Sequence, residues 1–160
     1  MNIKYLIEED FVNYKMPSMF IGMPKCDFKC ERDCGIKCCQ NSALAKAPEI
    51  SIPAFKIIDK YLDNKISEAV VFGGLEPFDS WEELIEFISL FRYKSSDPVV
   101  IYTGYKEEEI EDKIKMLSEY ENIYVKFGRF IPNQKSHFDE VLGVELASSN
   151  QYAKKVSRWK

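Results

Sequence analysis

Apolar residues along this chain fall into short solid blocks, separated by charged stretches in which apolar positions recur at helical spacing. SMFIG, residues 18–22, is a continuous apolar run closed by Gly22 and Pro24. It reads as a buried strand. Ile57, Ile58, Tyr61 and Leu62 share one helical stripe, which predicts a helix from about Pro53 to Asn64. EAVVFGG supplies a second buried strand, Ala69–Phe72, stopped by glycines. WEELIEFISLFR is the next helix, with Trp81, Leu84, Ile85, Phe87, Ile88 and Leu90 apolar. Asp79 or Ser80 is placed to cap it, since Glu82 and Glu83 occupy its first turn. PVVIYTG gives a third strand, Val99–Tyr102, and KEEEIEDKIKMLSEY a third helix with Ile110, Ile114 and Leu117 on one stripe. NIYVKFG is a fourth strand, Ile123–Phe127. Beyond Gly128 the pattern loosens into loop, with one short strand at Gly143–Ala147.

Strand and helix therefore alternate, with no hairpin turn between the four strands. Such alternation predicts an α/β fold: a mostly parallel sheet joined by right-handed crossover helices. In open and barrel-like folds of this kind the site lies beyond the carboxyl ends of the strands. Those ends lead into the cysteine-rich loop after Gly22, then GGLEPFDS, then TGYK, then GRFIPNQK. All four segments are expected to converge on one edge of the sheet.

Composition narrows the class. The 160 residues fit a single domain, 1–160, large enough to bury a core without cross-links. At 46% hydrophobic the chain is not of disordered type. The net charge of −4 argues against a nucleic-acid surface, and Lys154, Lys155, Arg158 and Lys160 read as a solvated basic end. No apolar run reaches the length of a membrane span. MNIKYLIEEDF carries acids where a secretory signal has its apolar centre, so a reducing, cytoplasmic setting is expected. There is no phosphate-binding G-x4-G-K-[ST] loop, and no Ser–His–Asp set can be assembled around the one histidine, His137. Phe11, Tyr14, Trp81, Phe91 and Trp159 are read as packing residues.

The chemistry is concentrated in KCDFKCERDCGIKCCQNS, residues 25–42, which contains all five cysteines: Cys26, Cys30, Cys34, Cys38 and Cys39. Clustered thiols in a reducing compartment read as metal ligands or catalytic groups before disulfides. Zinc sites usually bring two close C-x2-C pairs, and none is present here. Iron–sulfur clusters are likewise held by clustered thiolates, so the thiols alone leave zinc and an iron–sulfur cluster both open. The four-residue spacing of Cys26, Cys30, Cys34 and Cys38 also permits one stripe of a helix, although Phe28, Asp33 and Gly35 disfavour it. Five thiols limit the chain to one cluster. Lys25, Lys29, Arg32 and Lys37 surround them, and such cations favour thiolate over thiol. Thr103 and Tyr105 follow the third strand, where a ribose or carboxylate could bind. Ser148, Ser149, Asn150 and Gln151 are placed either to contact a cofactor or to cap a loop.

A strand ending in a C-x3-C loop, then a strand ending in a GGEP-like turn, resembles the radical S-adenosylmethionine family. IYTGYKEEEI (101–110), KFGRFIPNQK (126–135) and LASSNQ (146–151) resemble segments of activating proteins of anaerobic ribonucleotide reductases. The resemblance runs from about Ser18 to Gln151. It implies an incomplete (βα) barrel, a [4Fe–4S] cluster on three cysteines, and S-adenosylmethionine bound at the fourth iron. It further implies reductive cleavage of that cofactor and a glycyl radical on a partner enzyme, with electrons from a donor such as flavodoxin or ferredoxin. The family's third cysteine is followed by one residue and then Asn, as are Cys39, Gln40 and Asn41. The implied ligands are therefore Cys26, Cys30 and Cys39, with an insertion before the third; Cys34 and Cys38 compete for that place. Gly73, Gly74, Glu76, Pro77 and Thr103 are the implied cofactor contacts. GGLEP departs from GGEP by placing Leu75 where the second glycine belongs, and backbone carbonyls can serve there whatever the side chain. Two alternatives stay open: a radical S-adenosylmethionine enzyme acting on a small molecule, and a non-catalytic zinc or iron–sulfur binding module.

Overall fold

A computed structural model describes residues 1–158; Trp159 and Lys160, read above as packing and as part of the basic end, lie outside the described residues. In chain order the strands and helices are β1 (Asn2–Ile3), β2 (Tyr5–Asp10), β3 (Ser18–Met23), α1 (Lys29–Cys34), α2 (Ser42–Ala45), β4 (Ile50–Ser51), α3 (Ala54–Asp63), β5 (Ala69–Gly74), α4 (Trp81–Arg92), β6 (Val99–Tyr102), α5 (Glu111–Leu117), β7 (Ile123–Phe127), β8 (His137–Asp139), β9 (Val144–Leu146) and β10 (Tyr152–Lys155). The main sheet has the order β10-β7-β6-β5-β3-β2. Its four inner strands are parallel, and each edge strand is antiparallel to its neighbour. The sheet is mixed and open, since β2 and β10 remain its two edges among the described residues.

The parallel strands follow one another across the sheet in chain order, so every crossover steps the same way. Crossovers of one hand then put α3, α4 and α5 on one face. That face holds the larger core. Ile57, Ile58 and Tyr61 of α3, Leu84, Phe87 and Phe91 of α4, and Leu117 of α5 pack on Met19, Ile21, Val70, Phe72, Val99, Ile101 and Val125. Edge-on ring contacts, Phe72–Phe87 at 5.1 Å and Tyr61–Phe91 at 5.1 Å, join sheet to helix and helix to helix. The alternate strand residues, Phe20, Val71 and Val100, face a smaller core built with Tyr14, Leu142 and Leu146. Here the β8–β9 hairpin and the loop before β3 replace helices.

Several elements differ from expectation. KEEEIEDKIKMLSEY is not one helix: a 3-10 turn at Glu107–Glu109 precedes α5, and the break falls at Ile110, whose φ of −134° is not helical. The Glu109 carboxylate turns back to accept the Lys106 N–H at 2.8 Å. Neither expected cap serves α4. Ser80 stands at its N-cap without a side-chain bond, and Asp79 faces the sheet edge instead. The basic end is not simply solvated, because Lys154 and Lys155 lie on β10 and Lys154 pairs with Glu107. No helix among the described residues is long and apolar enough to cross a membrane.

Candidate metal centre

Beyond the carboxyl ends of β3, β5, β6 and β7 lies a cavity of about 370 Å³. The chain leaves β3 through Pro24, and Lys25 O accepts the Glu76 N–H at 2.7 Å, which ties the cysteine loop to the turn after β5. Phe28 then adopts a left-handed backbone (φ 55°) and α1 begins. After one and a half turns Gly35, also left-handed at φ 71°, ends the helix and turns the chain back. The helical stripe of cysteines is thus realised only from Cys30 to Cys34. The loop brings Cys26, Cys30 and Cys39 to the cavity wall, with Gln40 and Asn41 beside them. Cys34 and Cys38 do not line it; their Sγ atoms lie 2.7 Å from each other.

Buried charge fixes this arrangement. Of the four cations near the thiols, Lys25, Arg32 and Lys37 are exposed, while Lys29 is only 1% exposed. Its ammonium lies 2.8 Å from Asp27, 3.7 Å from Glu76, 3.8 Å from Asp79 and 4.0 Å from the centre of the Tyr105 ring. Burial opposes its charge, but the three carboxylates outweigh burial and hold Lys29 protonated well above the ordinary lysine range. Glu76 is the hub on the opposite side. Its carboxylate accepts from Thr103 Oγ1 at 2.7 Å, Gly104 N at 2.8 Å and Phe78 N at 3.1 Å. Burial raises its pKa against the pull of Lys29 and these donors. Arg129, two residues beyond β7, clamps the loop from the far side. It pairs with Asp33 of α1 at 2.6 Å and with Glu109 at 2.7 and 2.9 Å, and donates to Gly104 O at 3.1 Å.

Two groups tune the cavity directly. Burial pushes the Cys26 thiol up to about 11, against the Phe28 N–H 3.2 Å from its sulfur and the nearby Lys29 charge. A metal at this thiol must therefore displace its proton. Lys126, near the end of β7, lines the cavity with its ammonium donating to Thr103 O at 3.3 Å and Gly128 O at 3.1 Å. Burial lowers its pKa to about 8. Cys26, Asp27 and Asp79 also converge, each with one ligand atom within 4.8 Å of the others. The Lys29 ammonium already holds those carboxylates, and one soft thiolate with two hard oxygens suits neither zinc–thiolate nor cluster chemistry.

Of the residues singled out in the sequence, Gly73, Gly74, Glu76, Thr103 and Gln151 line the cavity with the three cysteines. Pro77 does not; it is buried and opens the 3-10 turn behind the wall. Gly74 has φ +81°, which favours glycine there, and Leu75 is accommodated as a cavity residue. His137 begins β8 and does not reach the cavity. Ser148, Asn150 and Gln151 brace the loop after β7: Asn150 Nδ2 donates to Arg129 O at 2.9 Å and Gln151 Nε2 to Gly128 O at 3.3 Å. Asp79, Lys126 and Arg129 had no functional reading. Each is a single charged residue in the sequence, and only its burial or convergence marks it.

Cys26, Cys30 and Cys39 line one cavity at the carboxyl edge of the parallel strands, where clustered thiols can serve as metal ligands. The family model described as a 4Fe-4S single cluster domain matches residues 18–152, and the chain belongs to that family. Among curated proteins and among solved structures, none matches the chain. The residues fit the group that the family implies: the thiols of Cys26, Cys30 and Cys39 share the cavity, and buried cations stand nearby to offset thiolate charge.

Proposed function

We infer that the chain is a radical S-adenosylmethionine activase that generates a glycyl radical on a partner enzyme of the anaerobic ribonucleotide reductase type. Its site would hold one [4Fe–4S] cluster on Cys26, Cys30 and Cys39 with S-adenosylmethionine beside it. The observation that carries this reading is the meeting of three thiols, the Gly73–Gly74 turn and the Thr103 turn on one cavity. Cys26, Cys30 and Cys39 would hold such a cluster, which would supply the electron for reductive cleavage of the sulfonium.

The protein's own groups then have separable roles. The left-handed Gly74 exposes backbone at the cavity, where carbonyls accept from an ammonium. Glu76 is already engaged by three donors and Lys29, so it acts as the brace that holds the cofactor turn against the cysteine loop. Lys126 offers a buried positive charge to a carboxylate. Tyr5 and Phe20, stacked at 5.6 Å, and Tyr102 give the cavity an aromatic wall that excludes water. An incomplete barrel of the radical S-adenosylmethionine type and a cytoplasmic, reducing setting belong to the same reading.

The test is anaerobic reconstitution with iron and sulfide, followed by electron paramagnetic resonance of the reduced protein with and without S-adenosylmethionine. A reduced [4Fe–4S] signal that changes on adding the cofactor, with 5′-deoxyadenosine formed under reduction, is expected. Tight zinc without a cluster, or a signal indifferent to the cofactor, sinks the reading.

A further inference from the structure

Two thiols of the loop are not used by the cavity. Cys34 closes α1 and Cys38 immediately precedes the cavity residue Cys39. Gly35, at φ +71° with nothing within 4 Å of where a Cβ would stand, reverses the chain between them. The two sulfurs consequently lie 2.7 Å apart, and their other hydrogen-bonding contacts are backbone carbonyls: Ile36 O at 3.4 Å and Glu31 O at 3.8 Å from Cys34, Cys30 O at 3.7 Å from Cys38; the Cys30 thiol and the Glu31 carboxylate lie within electrostatic reach of Cys38. Little movement separates them from a bond of about 2.05 Å. Cys26 has a different neighbourhood, the Phe28 N–H and the Lys29 charge cluster. We propose that Cys34 and Cys38 are a dithiol–disulfide pair, a modification site distinct from the cluster ligands, which reacts with small-molecule disulfides by thiol exchange. This inference rests on the cluster reading only in taking Cys26, Cys30 and Cys39 as the ligand set.

The exchange balances without any group that the site would have to borrow. One protein thiolate attacks the small disulfide RSSR; its S–S bond breaks, a mixed disulfide forms, and one RS⁻ leaves and takes up a proton. The second protein thiol, losing its proton, attacks the mixed disulfide, and the second RS⁻ leaves to become RSH. Two protein thiols are oxidised by two electrons, and RSSR is reduced to two RSH. The product ties the end of α1 to the segment that carries Cys39. It joins residues already in contact, so the three cavity thiols stay reduced and in place for the metal.

The test uses the full-length metal-free chain incubated anaerobically with oxidised glutathione, quenched with acid, alkylated and digested with trypsin. Cleavage after Lys29, Arg32 and Lys37 puts Cys30, Cys34 and the Cys38–Cys39 pair on separate peptides. The expected result is loss of two of the five alkylation sites, with one cross-link joining Cys34 to Cys38 and with Cys26, Cys30 and Cys39 alkylated. A cross-link that recruits Cys26, Cys30 or Cys39, or alkylation of every cysteine, overturns the proposal. Independently, the double variant C34S/C38S should take up as much iron and sulfide as the unaltered chain. A loss of cluster content in that variant makes one of the pair a ligand and overturns the proposal by another route. If the cross-link forms but the unaltered chain takes up no cluster, the activase reading fails while the dithiol pair stands.

Discussion

Glu76 and Glu109 have opposite environments and predict opposite experimental behaviour. Glu76 is buried, and the loop after β3, the turn after β5 and the turn after β6 all hold to it. Glu76→Gln removes the charge facing Lys29 and can set an amide N–H₂ against the Gly104 N–H donor. A loss on the order of 3 kcal/mol is expected for breaking a buried pair, read as a shift in denaturant midpoint. Glu109 lies near the surface, and its bidentate pair with Arg129 lowers its pKa from the ordinary 4.5 to about 2. A depressed folded value means that the pair's stabilisation is complete above about pH 4.5 and is lost as pH falls through about 2. The stability difference between the unaltered chain and Glu109→Gln should therefore be flat near neutrality and vanish in strong acid; a difference that instead grows on acidification would contradict the pairing. The sequence brought Glu76 and Thr103 forward as cofactor contacts. Folding shows them hydrogen-bonded to each other, which no spacing of 27 residues reveals.

The parallel strands and their helices were legible because each is an apolar block or a helical stripe long enough to carry its own period. The edge strands were not. YLIEED and YAKK are charged, short and half-solvated, as edges that must avoid pairing with other chains commonly are. The close packing required at glycines inside strands also escaped the sequence. A Cβ built on Gly22 would stand 2.4 Å from Cε1 of Tyr5, and one on Gly73 would stand 2.8 Å from Cζ of Phe20. Both rings belong to the cavity wall. Gly22→Ala should cost about 1–3 kcal/mol through overpacking and displace Tyr5, detectable as weaker cofactor binding alongside the lowered denaturation midpoint. An unchanged midpoint would show that the ring moves aside freely. The third helix was read too long because Glu107, Glu108 and Glu109 look like a first helical turn. The Glu109 side chain is instead bound by Arg129 and turned back to the Lys106 N–H.

At the scale of the whole molecule, winding in one direction puts the large core on one face and leaves the other to a hairpin and loops. The cysteine segment sits at the sheet edge where these layers meet. Its helices α1 and α2 have only six and four residues, too short to be stable alone. It is held by Lys29, by Arg129 and by the Lys25–Glu76 hydrogen bond rather than by a buried apolar face. Its order should therefore depend on metal. Trypsin should cut the metal-free chain after the exposed Lys37, and cluster loading should slow that cut by roughly tenfold or more, since a ligand bound only to the ordered loop stabilises it by mass action. Equal cleavage of both forms would mean that the loop is already locked without metal.

By itself the sequence determined the alternation of strands and helices, the four loops that share one edge, and the segment that carries thiol chemistry. Each of these is written in local periodicity or in residues close along the chain. Only the tertiary structure decided which thiols face a common cavity, which of four lysines and arginines is buried among carboxylates, and that Lys126 and Arg129 reach the site. The reason is physical. Burial, charge pairing and shared cavities depend on distances between residues far apart in sequence, and those distances exist only once the sheet has brought its carboxyl edge together.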